Sequence, residues 1–116
     1  MTIGLCLIVK NTAEELELAK RAIQSVKDSV NRVYITLTGP EETIELPKNE
    51  GNTFYSYFQW KDDFAAARNF NFSQSKDQWL LWLDADDALI NAHNLKKVAQ
   101  GAEDNGVKAV FLKYLY

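Results

Sequence analysis

The sequence predicts an α/β fold: a mostly parallel, twisted sheet flanked by helices. Three observations predict it. Strand-like and helix-like stretches alternate along the chain in the order βαβαβαβαβ. The first strand-like stretch, "TIGLCLIVK", is apolar almost without a break, as in a strand buried on both faces of a parallel sheet. No repeat or low-complexity segment divides the 116 residues, which suit one domain spanning 1–116.

Each element has its own signal. "NTAEELELAKRAIQSVKDSV" reads as a helix, because Thr12 and Glu15 have capping-box spacing and Leu16, Ala19, Ile23 and Val26 form an apolar stripe. "RVYITLT" is a second strand, rich in β-branched and aromatic residues. Gly39-Pro40 marks a turn, a short helix is expected over residues 41–46, and Pro47 ends it. "TFYSYF" is a third strand. "KDDFAAARNFNFSQS" is a helix with Asp62 as its expected N-cap. "QWLLWL" is a fourth strand, and "NAHNLKKVAQGAEDNG" a helix closed by Asn105-Gly106. "VKAVFLKYLY" reads as a fifth strand.

Composition narrows the function. Hydrophobic residues make up 47% and charged residues 25% of the chain, an ordinary globular balance with material for a core. The net charge of −3 leaves no broad basic field, which argues against nucleic acid and anionic membranes as partners. The apolar run at the first strand is too short to span a bilayer and lacks the flanks of a signal peptide. Cys6 is the one cysteine, so no intramolecular disulfide can form, and a reducing cytoplasm is the natural compartment. Within "IGLCLIV" it reads as a core thiol rather than a nucleophile.

In sheets of this class ligands bind beyond the carboxyl ends of the strands. Those ends are Lys10-Asn11, Thr38-Gly39 and the acidic stretch "DADD", residues 84–87. Asp84, Asp86 and Asp87 repel one another by roughly 1–4 kcal/mol per pair at near-surface dielectric. Two readings are open. The stretch is a solvated turn whose aspartates cap the next element. Or it is a site for a hard divalent cation, Mg²⁺ or Mn²⁺, which takes carboxylate and phosphate oxygens. In an extended segment Asp84 and Asp86 point the same way and Ala85 the opposite way.

Other residues attract attention less strongly. His93 is the single histidine and follows the acidic stretch, but a helix-start surface position explains it better than metal ligation. Phe54, Tyr55, Tyr57, Phe58 and Trp60, like Trp79 and Trp82, read as packing against the sheet and its helices. Asp62 and Asp63 read as helix-start residues that complement the dipole.

Taken together, "CLIVKN", "WKDDFAAARNFNF" and "WLLWLDADDAL" resemble the family 2 glycosyltransferases of the GT-A (Rossmann-like) fold, in the same order over nearly the whole chain. The resemblance implies the nucleotide-sugar-binding half of a transferase. Such an enzyme moves a sugar, with inversion, from a UDP- or GDP-type donor to an acceptor hydroxyl with the aid of Mn²⁺ or Mg²⁺. Asp84 and Asp86 match the DXD motif. The match implies that Asp84 faces the ribose or sugar and that Asp86 ligates the metal gripping the diphosphate. Asp87 is the adjacent acidic residue and assists. Arg68 matches a basic residue near the nucleotide, although a solvated helix face or an ion pair with Asp62 or Asp63 would also account for it. Lys10 and Asn11 match the loop near the base.

Two departures stand out. Leu37, in "TLTGP", occupies the position where the family carries an aspartate that hydrogen-bonds the base, a bond leucine cannot accept. The family's general base lies in an acceptor-binding half, expected beyond Tyr116. The sequence therefore reads as part of a longer enzyme, and an exposed strand edge would favour self-association. Competing readings are a catalytically incomplete GT-A-like binding or assembly module and a nucleotidyltransferase. The absence of a Gly-rich phosphate loop after the first strand argues against P-loop enzymes.

Overall fold

Burial explains the centre of the molecule. In β1 (Ile3–Lys10), Ile3, Leu5, Cys6, Leu7 and Val9 are all buried, as a strand covered on both faces requires. The computed structural model describes residues 1–113. Around β1 lie β2 (Arg32–Gly39), β3 (Thr53–Gln59) and β4 (Trp79–Trp82) in the order β3-β2-β1-β4, every pair parallel. Among the described residues three helices complete the α/β architecture: α1 (Ala13–Val26), α2 (Phe64–Ser73) and α3 (Leu95–Asp104), the last preceded by a 3₁₀ turn at Ala92–Asn94.

Helix α1 begins where the sequence signals it. The Thr12 hydroxyl accepts the Glu15 N–H at 3.2 Å, and Ala19, Ala22 and Val26 are buried, with Leu16 and Ile23 packed partly against the core. This core holds the odd-numbered residues of β1 and β2 together with Leu81, Ala85 and Ala99. The Trp79 indole donates to the Glu103 carboxylate at 3.1 Å, which ties α3 to the same side of the sheet.

Helix α2 lies on the opposite face. Its Asn71 is 1% exposed and donates from Nδ2 to the Leu7 and Tyr34 carbonyls and to Thr36 Oγ1. Phe70 packs on Phe58, with ring centroids 5.3 Å apart. The two-sided arrangement follows from handedness. The β1–α1–β2 connection moves one way along the sheet, and β3–α2–β4 returns past both strands to the other side, so crossovers of one hand put their helices on opposite faces. The direction of winding therefore changes between β1 and β4, and a crevice at their carboxyl ends is the place where such sheets bind ligands.

At the opposite end of the sheet, Asp77 gathers a polar knot. Its carboxylate accepts from Arg32 and from the Tyr34 hydroxyl, and its side chain is 0% exposed. A Cβ at Gly4 would stand 2.7 Å from Asp77 Oδ2 and 2.9 Å from Tyr34 Cε2, so glycine is needed for this close approach.

Three local expectations are corrected. The N-cap of α2 is Asp63, which accepts the Ala66 N–H at 3.0 Å; Asp62 sits at φ 55°, outside the extended conformation an N-cap uses, and accepts from the Trp60 indole instead. Residues 41–46 form no helix. So short a helix is marginal in water, and bonds from Tyr57 to the Glu41 carbonyl and from Gln59 to the Pro40 carbonyl hold the start of this segment against β3. Residues 107–113 form no strand and are exposed, since no neighbouring strand takes their backbone groups; the rest of the expected fifth strand, 114–116, lies outside the described residues. Trp82 packs against α2 as expected, its ring lying under the Arg68 guanidinium, while remaining 43% exposed. Among the described residues no helix is long and apolar enough to cross a membrane.

Candidate functional site

The site grows from the end of β4. Leu81 fills the core, Trp82 closes the strand, and the chain then turns back on itself instead of continuing extended. The Asp87 N–H donates to the Asp84 carbonyl at 3.0 Å, and the Asp84 N–H donates to Asp87 Oδ2 at 3.3 Å. The alternation expected of an extended segment is thus replaced by a turn. Ala85 is 7% exposed and joins the core, so the carboxylates are left on the outer side. One oxygen from each of Asp84, Asp86 and Asp87 lies within 4.8 Å of the others.

Helix α1 braces this turn. Arg21 donates from Nη2 to the Asp86 carbonyl, and Ser25, one helical turn later, accepts the Leu89 N–H at 3.0 Å. Sequence reading missed both residues. The available signal was a polar pair at i,i+4 beside the apolar stripe, which a solvated helix face explains equally well.

Arg68 reaches the site from α2. Its guanidinium carbon lies 3.4 Å from the centroid of the Trp82 ring and 5.0 Å from that of Phe64. The expected alternatives, a solvated face or an ion pair with Asp62 or Asp63, give way to this stack: Arg68 is half-buried and forms no ion pair among the described residues. The Asp84 carboxyl is pushed up from its ordinary value by partial burial first, then by the charges of Asp87 and Asp86, while the Arg68 charge pulls the other way. Clustered carboxylates of this kind are hard oxygen donors, so the donor chemistry of the residues present fits Mg²⁺ or Mn²⁺.

Lys10 and Asn11 stand at the same end of the sheet, at the tip of β1. Lys10 is exposed, and the Asn11 N–H donates to the Thr38 carbonyl at 2.9 Å, which links this tip to β2 rather than to the acidic turn. Leu37 is 1% exposed, lies in register with Val9 and Tyr57, and belongs to the core. His93 is exposed in the 3₁₀ turn and is not part of the carboxylate cluster. Cys6 is buried, and burial together with the Asp77 charge pushes its thiol up to about 12, leaving no thiolate for nucleophilic chemistry.

With this geometry in place, comparison with known proteins is informative. A family model described as "Glycosyl transferase family 2" matches residues 7–116. The chain is 36% identical over 88 residues to a TPR repeat-containing protein of Synechococcus elongatus, an alignment covering 76% of this chain and 21% of that protein. It is 29% identical over 103 residues to the SPbeta prophage-derived glycosyltransferase SunS of Bacillus subtilis, covering 87% of this chain and 24% of the relative. Glycosyltransferase SunS of Bacillus phage SPbeta gives the same figures. The chain thus spans 21% to 24% of the length of the curated relatives it matches.

Proposed function

The chain belongs to glycosyl transferase family 2, and on that premise we propose that residues 1–116 are the donor-binding part of an inverting, metal-dependent glycosyltransferase. The observation that carries the reading is the acidic turn: three carboxylates, their oxygens within 4.8 Å, held at the winding switch of a parallel sheet. Such a cluster is unfavourable alone and becomes favourable with a cation and a diphosphate.

In this reading Asp84 takes a ribose or sugar hydroxyl, and Asp86, assisted by Asp87, holds Mn²⁺ or Mg²⁺. The bound ion would neutralise charge developing on the nucleoside diphosphate as it leaves. Arg68 supplies a fixed positive charge to the same diphosphate. Lys10 and Asn11, at the tip of β1, contribute to the nucleotide side of a UDP- or GDP-type donor. The general base that deprotonates the acceptor hydroxyl is assigned outside these residues. A cytoplasmic setting accords with the free thiol of Cys6.

Calorimetry with UDP and GDP, with and without Mn²⁺, tests the assignment on wild type and Asp86→Ala. Metal-dependent binding that the substitution removes is expected; equal binding by both proteins would sink it. One observation favours a second reading, a GT-A-like binding or assembly module. Leu37 fills the core where the family resemblance calls for an aspartate. Absence of nucleotide binding together with a stable oligomer in sedimentation would favour that module.

A further inference from the structure

We infer that Trp82 is a positioning residue for the donor site: the face of its indole fixes the Arg68 guanidinium beside the acidic turn. This rests on the donor-site reading and extends it to a residue whose side chain has no place in the core.

An arginine side chain carries about 2 kcal/mol of rotamer entropy, so a stationary guanidinium needs a restraint. Hydrogen bonding does not supply one. Arg68 Nε is buried without a hydrogen-bond partner, and no ion pair engages the group among the described residues. Two rings supply it instead. Trp82 lies at 3.4 Å on one side, and Phe64, one turn earlier on α2, at 5.0 Å. Phe64 is in turn packed edge-on against Trp60, with centroids 6.0 Å apart and planes at 77°. Guanidinium groups stack well on aromatic faces because they are planar and weakly hydrated.

The position of Trp82 makes the stack directional. It is in register with Cys6 on β1, so it shares the sheet face that α2 covers. Leu83 alone separates it from Asp84. The platform under Arg68 and the first carboxylate of the turn are therefore carried by one short piece of backbone, which sets the distance between the site's positive and negative groups. A residue that served only the core would be buried, but Trp82 is 43% exposed.

The test uses two readouts. In ¹⁵N-edited NMR the Arg68 Nε–H, assigned by its loss in Arg68→Lys, should be ring-shifted and slow to exchange compared with Arg21. Trp82→Leu should remove that signature, and Trp82→Phe should keep most of it. In calorimetry with UDP or GDP and Mn²⁺, Trp82→Leu should weaken binding about 3- to 30-fold, the range a cation–π contact spans, and Trp82→Phe should stay within about threefold of wild type. In an Arg68→Ala background, Trp82→Leu should cost nothing further. An equal loss in that background would overturn the inference, because Trp82 would then act independently of Arg68. An unchanged Arg68 signal in Trp82→Leu would overturn it too. If wild type binds neither nucleotide, the donor-site reading fails, and the NMR comparison alone decides whether Trp82 fixes Arg68.

Discussion

Asp86→Asn should make the metal-free protein more stable, and the size of the gain follows from the turn. Unit charges 4.8 Å apart repel by about 1 kcal/mol in bulk water and about 3 kcal/mol at near-surface dielectric. Asp84 and Asp86 are exposed and Asp87 is half-buried, so the lower figure governs. The substitution removes the repulsion of Asp86 with both neighbours, about 2 kcal/mol by that figure. The unfolded chain keeps part of the same repulsion because the residues are adjacent in sequence, which leaves a net gain of about 1 kcal/mol. The backbone is untouched, so the Asp86 carbonyl still accepts from Arg21. For a chain of this length the expected rise in Tm is about 3–5 °C.

Thermal unfolding by circular dichroism in EDTA at low salt measures it. The gain should shrink in 1 M NaCl, where the Debye length is about 3 Å. It should also shrink in acid. The Asp84 carboxyl is raised in the folded state, so its contribution is fully favourable below the ordinary aspartate range and is lost as pH rises through the folded value. Acidification through that window removes the Asp84 charge, so about half of the repulsion felt by Asp86 is already gone before the substitution. Saturating Mn²⁺ should reverse the order, because wild type gains binding free energy that the variant lacks. A variant less stable than wild type in EDTA, or a gain indifferent to salt, would refute the picture of mutually repelling carboxylates.

Two further perturbations probe the frame. Asp77→Ala should lower urea stability at pH 7 by about 2–3 kcal/mol, below the full cost of breaking a buried pair because the Arg32 side chain is 39% exposed. Burial acts to raise the Asp77 carboxyl, but bonds from Tyr34, Thr2 and Arg32 and the Arg32 charge outweigh it and hold the group low. Its contribution is thus present above the ordinary aspartate range and lost as pH falls through the folded value, so wild type and variant should converge in acid. Leu37→Asp should cost more than about 3 kcal/mol in the same assay, since it removes a core side chain and buries a carboxyl between Val9 and Tyr57. A wild-type midpoint would show instead that the end of β2 can present an aspartate to a base.

Local patterns were the legible part of the sequence. The Thr12–Glu15 spacing and the Asn105-Gly106 stop rest on interactions within a few residues, the apolar run of β1 shows in its composition alone, and each holds in the structure. The N-cap of α2 slipped by one residue because Asp62 and Asp63 offer the same side chain, and only the backbone angle of Asp62 separates them. The fifth strand was read from composition, but residues 107–113 have no neighbouring strand to complete a ladder. At the site, the identity of the aspartates was legible and their geometry was not. Alternation describes an extended chain, whereas the turn depends on Ala85 finding room in the core and on two side chains of α1. The Arg68–Trp82 stack joins a helix to a strand across the sheet face, a contact that no local period announces.

That dependence on distant elements bears on how a repulsive cluster can exist at all. Within "DADD" the two hydrogen bonds between Asp84 and Asp87 close the turn against the mutual repulsion of its carboxylates. The remaining restraint comes from Ala85 entering the core, from Arg21 and Ser25 gripping the backbone on either side of the turn, and from β4 being zipped to β1. Apolar burial elsewhere in the sheet therefore holds the acidic turn together before any cation is present. On the proposed reading, a site held open in this way gives up little conformational entropy on binding a cation and diphosphate, so more of their attraction is expressed as affinity. The same logic applies to Arg68, which waits on an aromatic face instead of in an ion pair with Asp84. An ion pair would neutralise the guanidinium, whereas a stack fixes it and leaves its charge available for the donor of the proposed reading.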